Sequence, residues 1–197
     1  MSRPTSAIAV YCGSNRGEGE LYGKATANLG RELAARGIRL VYGGASIGLM
    51  GILADACMDG GGSVHGVITD GLRDLEIAHL GLDRLDVVAT MHERKAAMSD
   101  AADAFIMLPG GVGTLDEFFE AVAWTQLRVQ EKPCGVLDVE GYYGPLRMLL
   151  DSITAQGFLK QQHRDSIIFD DDAASLIERF REWTPSPTEK ILGRDAV

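Results

Sequence analysis

Short runs of consecutive apolar residues alternate along this chain with longer stretches whose apolar residues return every three or four positions. Ala7–Tyr11 is the first run. It ends at Cys12–Gly13–Ser14–Asn15, a turn composition, and reads as a strand. Tyr22, Ala25, Leu29 and Leu33 then recur at helical spacing, with Gly37 as the stop. Ile38–Tyr42 is a second strand. It leads into Gly43–Gly44–Ala45–Ser46–Ile47–Gly48 and the helical stripe Leu49, Ile52, Leu53, Ala56, which Gly60–Gly61–Gly62 closes before a third strand, Ser63–Ile68. Residues 69–82 hold no clear period. Leu85–Ala89 reads as an extended segment, Met91–Ala102 as a helix and Phe105–Leu108 as a strand whose following helix runs to about Gln130. Pro133–Val139 (strand), Tyr143–Gln156 (helix, stripe Leu146, Leu149, Leu150, Ile153), Ile167–Phe169 (edge strand) and Ala173–Trp183 (helix) complete the series. Regular strand–helix alternation predicts an α/β fold: a doubly wound parallel sheet with helices on both faces. With no repeat or internal boundary, residues 1–184 are expected to form one domain. The tail over 185–197, opened by Pro185–Ser186–Pro187, is expected to be extended or disordered.

The stretch from Phe105 to Glu117 is the most informative. Four apolar residues in a row suit a strand covered on both faces, Pro109 stops it, and Gly110, Gly111 and Gly113 allow close approach of backbone to a ligand. Thr114 is expected to open the next helix, whose stripe is Leu115, Phe118, Phe119 and Val122. A helix start behind a glycine turn offers unpaired N–H groups and the positive end of the dipole, an anion site most often used for phosphate. The same residues also read as a capping box, Thr114-x-x-Glu117. On this register Asp116 and Glu117 both fall in the first turn, where like charges beside a phosphate are costly unless one carboxylate has a task. Ligands of doubly wound proteins gather beyond the carboxyl ends of the strands, and the glycine turns 13–19, 43–48 and 110–113 all follow strands, so they should meet on one edge.

Composition narrows the field. The 197 residues carry a net charge of −9, which argues against a nucleic-acid or anionic-membrane surface, and no apolar run reaches membrane-spanning length. Residues 1–6 hold no apolar segment of signal-peptide length, and Cys12, Cys57 and Cys134 read as small buried thiols, so the expected compartment is the cytoplasm. The dinucleotide fingerprint fails: Ala45 stands where its middle glycine belongs, and Asp116 where its third would fall. There is no G-x-x-x-x-G-K-[ST], no G-x-S-x-G, and no histidine pair with ligand spacing, so neither cofactor nor metal is expected. Met91, Arg94 and Met98 share a helical face. On pattern alone Arg94 reads as a surface arginine snorkelling past apolar neighbours, although its helix precedes the central strand and could bring it near the anion site.

Pro109–Gly110–Gly111–Val112–Gly113–Thr114–Leu115–Asp116–Glu117 resembles the P-G-G-x-G-T-x-x-E signature of the LOG ("Lonely Guy") family of cytokinin-activating phosphoribohydrolases. Met91–His92–Glu93–Arg94–Lys95 resembles its M-H-x-R-K element. Cys12–Gly13–Ser14, Tyr42 to Gly51, Trp124–Thr125–Gln126–Leu127, and Lys132–Pro133 through Gly141–Tyr142–Tyr143 are similar to it in the same register, from about residue 7 to 183. The resemblance implies a Rossmann-like homodimer that hydrolyses the N-glycosidic bond of a nucleoside 5′-monophosphate, a small-molecule substrate of the N6-substituted adenosine or AMP type, to free base and ribose 5-phosphate. It implies Glu117 and Arg94 as the catalytic pair. Gly110, Gly111, Val112, Gly113 and Thr114 would hold phosphate, and Lys95, Glu76, Ser14 and Gly44 would complete the nucleotide site. Two residues depart from the family pattern, Ala45 for glycine and Ala123 for a frequent threonine.

The chemistry is consistent with one carboxylate. Departure of the base leaves an oxocarbenium-like sugar; a carboxylate beside it either stabilises the cation electrostatically or takes a proton from the attacking water. Consecutive helical residues diverge by ~100°, so Asp116 does not pair with Glu117. A carrier of nucleotide or molybdenum cofactor would use similar glycine turns without needing an Arg94–Glu117 pair. Lysine decarboxylase, a label attached to such sequences, finds no pyridoxal-lysine context here.

Overall fold

The computed structural model describes residues 5–73, 75 and 78–185. Seven parallel strands form one sheet: β1 (Ala7–Tyr11), β2 (Arg39–Tyr42), β3 (Val64–Thr69), β4 (Arg84–Val88), β5 (Ala104–Met107), β6 (Cys134–Leu137) and β7 (Ile167–Asp170), in the spatial order β4-β3-β2-β1-β5-β6-β7. Among the described residues eight α-helices accompany them: α1 (Leu21–Ala35), α2 (Gly48–Asp59), α3 (Asp70–Arg73), α4 (Met91–Ala101), α5 (Val112–Gln126), α6 (Gly144–Ala155), α7 (Gln161–Asp165) and, after the last strand, α8 (Ala173–Glu182). This is the doubly wound α/β architecture that the alternation predicts.

The uninterrupted apolar runs follow from burial on both faces. Ile8 and Val10 point into a core built with Leu29 and Leu33 of α1, Leu53 of α2 and Leu176 of α8. Ala9 and Tyr11 point the other way, into a core with Met98 of α4, Phe118 of α5 and Leu150 of α6. Phe105 and Ile106 of β5 divide in the same manner, and each fully buried side chain of this size contributes roughly 1.5–3 kcal/mol.

Both ends of α5 and the burial of α6 differ from expectation. Helix α5 begins at Val112, capped by the backbone of Gly111, so Thr114 is its third residue and Asp116 and Glu117 lie past the first turn. No side chain caps it, which removes the capping-box reading. It also ends at Gln126, four residues early, where Arg128 turns left-handed (φ 58°) and Gln130 folds back to donate to the Ala121 carbonyl. On α6 only part of the expected stripe is covered: Leu150 is buried while Leu149 stands 57% exposed. The tail from residue 186 lies outside the described residues.

Between β1 and β5 the chain reverses its direction of winding, and there the strand ends open a crevice. The glycine turns meet at this point. Gly13 N–H donates to the Pro109 carbonyl (3.1 Å), and the Gly13 carbonyl accepts from Leu49 N–H (3.0 Å).

Candidate active site

A cavity of about 300 Å³ lies over this crevice. The end of β1 contributes Cys12, Gly13 and Ser14, and the start of α5 contributes Gly111–Thr114, Asp116 and Glu117. Facing them are Met50 of α2, Leu72 of α3, and Met91 and Arg94 of α4.

At the floor, the first turn of α5 carries no side-chain cap, and its first backbone acceptor, the Gly111 carbonyl, is taken by Leu115 N–H. The N–H groups ahead of Leu115 are the orphan donors of a helix start, in line with the dipole. A side-chain carbon placed on Gly111 or Gly113 would meet no atom, so packing does not require glycine there; the space is left for something else to approach. Gly110 differs, because a side chain on it would overlap the Thr114 hydroxyl, and Thr114 is buried under that turn.

On the wall, Arg94 is 5% exposed, so the snorkelling expectation is overturned. Its guanidinium has ordered partners on every side. Nε donates to the Val67 carbonyl (3.0 Å), Nη2 to the Gly43 carbonyl (3.3 Å), and Nη1 lies 3.3 Å from Glu117 Oε1 and 3.5 Å from Met91 Sδ. A buried permanent charge is tolerable when its fork of donors is met in this way. Gly43 is required for the arrangement, since a side chain there would overlap the guanidinium. Glu117, its side chain 13% exposed, holds its carboxylate against Arg94 at the cavity wall. Burial, reinforced by the negative charge of Glu117, pushes the Cys12 thiol well above its ordinary range, so Cys12 is no thiolate nucleophile.

Ser14, Arg94, Gly111, Val112, Gly113, Thr114 and Glu117 are thus brought together, while Gly110, the next residue along the turn, lines an adjoining cavity instead. Lys95 and Gly44 are not. The Lys95 ammonium lies between Asp116 Oδ2 (3.2 Å) and Glu120 Oε1 (3.1 Å); burial opposes its charge, but these two carboxylates outweigh burial and raise its pKa. Gly44 takes φ +78°, its carbonyl accepts from His79 N–H (2.9 Å), and its Cα backs onto Leu85 and Ile68. Glu76 lies outside the described residues. Ala45 is fully buried and bridges to Ala78, and Ala123 is not part of the cleft lining. Sequence reasoning missed Gly43, Met50 and Leu72. The Gly43–Gly44 pair was a signal for the first; the two apolar residues carried none.

Comparison with known proteins adds to this geometry. Residues 50–180 match a family model described as "Possible lysine decarboxylase". The chain is 46% identical to a probable cytokinin riboside 5′-monophosphate phosphoribohydrolase of Oryza sativa subsp. japonica, over 92% of this chain and 82% of that protein. It is 44% identical to the cytokinin riboside 5′-monophosphate phosphoribohydrolase of Rhodococcoides fascians, over 92% of both. Among solved structures, the molybdenum cofactor carrier protein of Chlamydomonas reinhardtii shares the fold, with a TM-score of 0.67 at 19% identity over 91% of this chain and 98% of that one.

Proposed function

This chain belongs to the LOG family of cytokinin riboside 5′-monophosphate phosphoribohydrolases, and from that membership we propose that its cleft hydrolyses N6-substituted adenosine 5′-monophosphates to the free base and ribose 5-phosphate. The observation that carries the mechanism is the Arg94–Glu117 pair at 3.3 Å on the wall of a cavity whose floor is an uncapped helix start.

In this reading the 5′-phosphate rests on the amides at Gly111–Thr114, with Ser14 at the rim, and the ribose lies toward Glu117. As the glycosidic bond lengthens, positive charge spreads over the anomeric carbon and ring oxygen. The Glu117 carboxylate stabilises that charge and removes a proton from the attacking water. Arg94, committed to two backbone carbonyls, serves to fix the orientation of Glu117 rather than to reach for substrate. Lys95 acts one shell further out, holding Asp116 away from the sugar. The decarboxylase description is not supported by the setting of Lys95, which is tied to two carboxylates. The likeness to cofactor carriers, at 19% identity, bears on the fold.

The enzyme is further proposed to act as a homodimer in the cytoplasm. Val112 and Met91 stand 84% and 39% exposed at the cleft, apolar surface that a second copy would cover, and three buried free cysteines suit a reducing compartment. Light scattering that gave a monomer mass at micromolar concentration would refute the dimer.

The activity is tested by incubating the protein with isopentenyladenosine 5′-monophosphate or AMP and following free base by chromatography. Base release is expected from the wild type, and Glu117→Gln should lose at least ~10²-fold in kcat with its Tm retained. Absence of release from any nucleoside monophosphate would sink the assignment, and an active Glu117→Gln would move the role elsewhere.

A further inference from the structure

Three successive backbone carbonyls precede α5, and each is occupied by a donor from another part of the chain. Leu108 O accepts from Tyr143 Oη (2.8 Å), Pro109 O from Gly13 N–H (3.1 Å), and Gly110 O from Tyr142 Oη (2.8 Å). Carbonyl oxygens carry partial negative charge, so any one of them turned into the cleft would repel an anion. The peptide joining Gly110 to Gly111 is the one most able to rotate, having glycine on both sides. Because a trans peptide is planar, with its N–H pointing opposite to its C=O, holding Gly110 O toward Tyr142 sends Gly111 N–H the other way.

We propose that Tyr142 is a positioning residue for phosphate recognition: its hydroxyl locks the Gly110–Gly111 peptide in the orientation that presents amide rather than carbonyl to the anion. The inference rests on the phosphate placement proposed above.

Core packing does not account for Tyr142, whose residue is 41% exposed, yet its posture is tightly determined. Two consecutive left-handed residues precede it, Glu140 (φ 51°) and Gly141 (φ 72°), and a left-handed glutamate is a strained choice. Its ring meets Tyr22 of α1 edge-on at 5.6 Å and Tyr143 at 4.8 Å. The three features fix the ring where its hydroxyl reaches Gly110 O. Tyr143 provides the internal comparison: it is 4% exposed, and its hydroxyl serves the Leu108 carbonyl at the strand end, two residues before the glycines.

The test uses ligands that the proposed reaction does not consume. Wild type and Tyr142→Phe are titrated calorimetrically with ribose 5-phosphate, which carries the phosphate, and with adenine, which does not. Loss of one hydrogen bond that orients the turn should weaken ribose 5-phosphate by ~10-fold and adenine by less than about two-fold, with Tm moved by less than about 2 °C. In turnover, KM for AMP should rise by a similar factor while kcat stays within about two-fold. Tyr143→Phe, which leaves a buried carbonyl unpaired, should instead lower Tm by several degrees, ~2–4 °C per kcal/mol. Equal weakening of both ligands by Tyr142→Phe would show a general structural role and overturn the proposal, as would unchanged ribose 5-phosphate binding, or no binding of it by the wild type. A wild type that binds ribose 5-phosphate and loses it on Tyr142→Phe, but releases no base, would leave this proposal standing and refute the hydrolase.

Discussion

Glycines beside the cleft are of two kinds, and the difference is physical. At Gly43 and Gly110 a side chain would strike Arg94 or Thr114, so those positions are held by packing. At Gly111 and Gly113 it would strike nothing within the protein. Gly113→Ala, within α5, should therefore raise stability by ~0.5–1 kcal/mol through helix propensity while weakening nucleotide binding, because the new methyl occupies the ligand's space. Thermal denaturation and KM for AMP, measured together, check the opposite signs. Gly43→Ala should behave differently: displacing the guanidinium, and with it Glu117, by about 1 Å should cost ~10²-fold in kcat with KM little changed. The glycines were visible in the sequence. Which of them make room for a ligand and which for an arginine was not, since the arginine lies 51 positions along the chain from Gly43.

At the scale of elements, the expected strands and the longer helices are present, and the misses sit at helix ends and in the short helices α3 and α7. Helix α5 starts two residues early because Gly111 caps it with backbone alone, leaving Thr114 to pack beneath Gly110. It stops early through a left-handed arginine, a residue type that does not announce such a turn. The single turn α7, with its five residues, was too short to leave a period in the sequence. At the junction of β7 and α8, burial alone would raise the Asp170 pKa, but donation from Asp172 N–H, Ser175 Oγ and Arg179 Nη1 outweighs it and lowers the value. A carboxylate whose folded pKa is depressed stabilises above its unfolded pKa of ~3.9, and that stability is lost as pH falls through the folded value. Asp170→Asn should thus lower Tm by roughly 2–4 °C at pH 7. The gap from wild type should narrow below about pH 4, and a gap that stayed constant down to pH 2 would contradict the coupling.

For the molecule as a whole, the two-sided sheet explains the cysteines as well as the core. Cys12, Cys57 and Cys134 are all buried. Burial lifts the Cys57 thiol to about 11, with the charge of Asp83 adding to it, and lifts Cys134 to about 12; Cys12, beside Glu117, is raised further. Iodoacetamide at pH 8 should label none of the three in the native protein and all three in denaturant, as mass spectrometry can count. Rapid native labelling of Cys12 would mean that the cleft opens more widely than the described arrangement. The same architecture determines where the chemistry lies. Crossing over between β1 and β5 brings the turns at 13, 49 and 109 into direct hydrogen bonding, which is the condition for a single site built from three separate segments.

What the sequence determined by itself was local: the alternation of strand and helix, the doubly wound class and the glycine turns at strand ends. Those features rest on interactions between near neighbours in the chain, which periodicity and turn chemistry report directly. Tertiary structure alone decided that Arg94 is buried against the carbonyls of Gly43 and Val67, that Lys95 turns to Asp116 and Glu120, and that Tyr142 reaches Gly110. Each of these joins segments that only the strand order brings together, and a charge's preferred side depends on which partners its burial supplies.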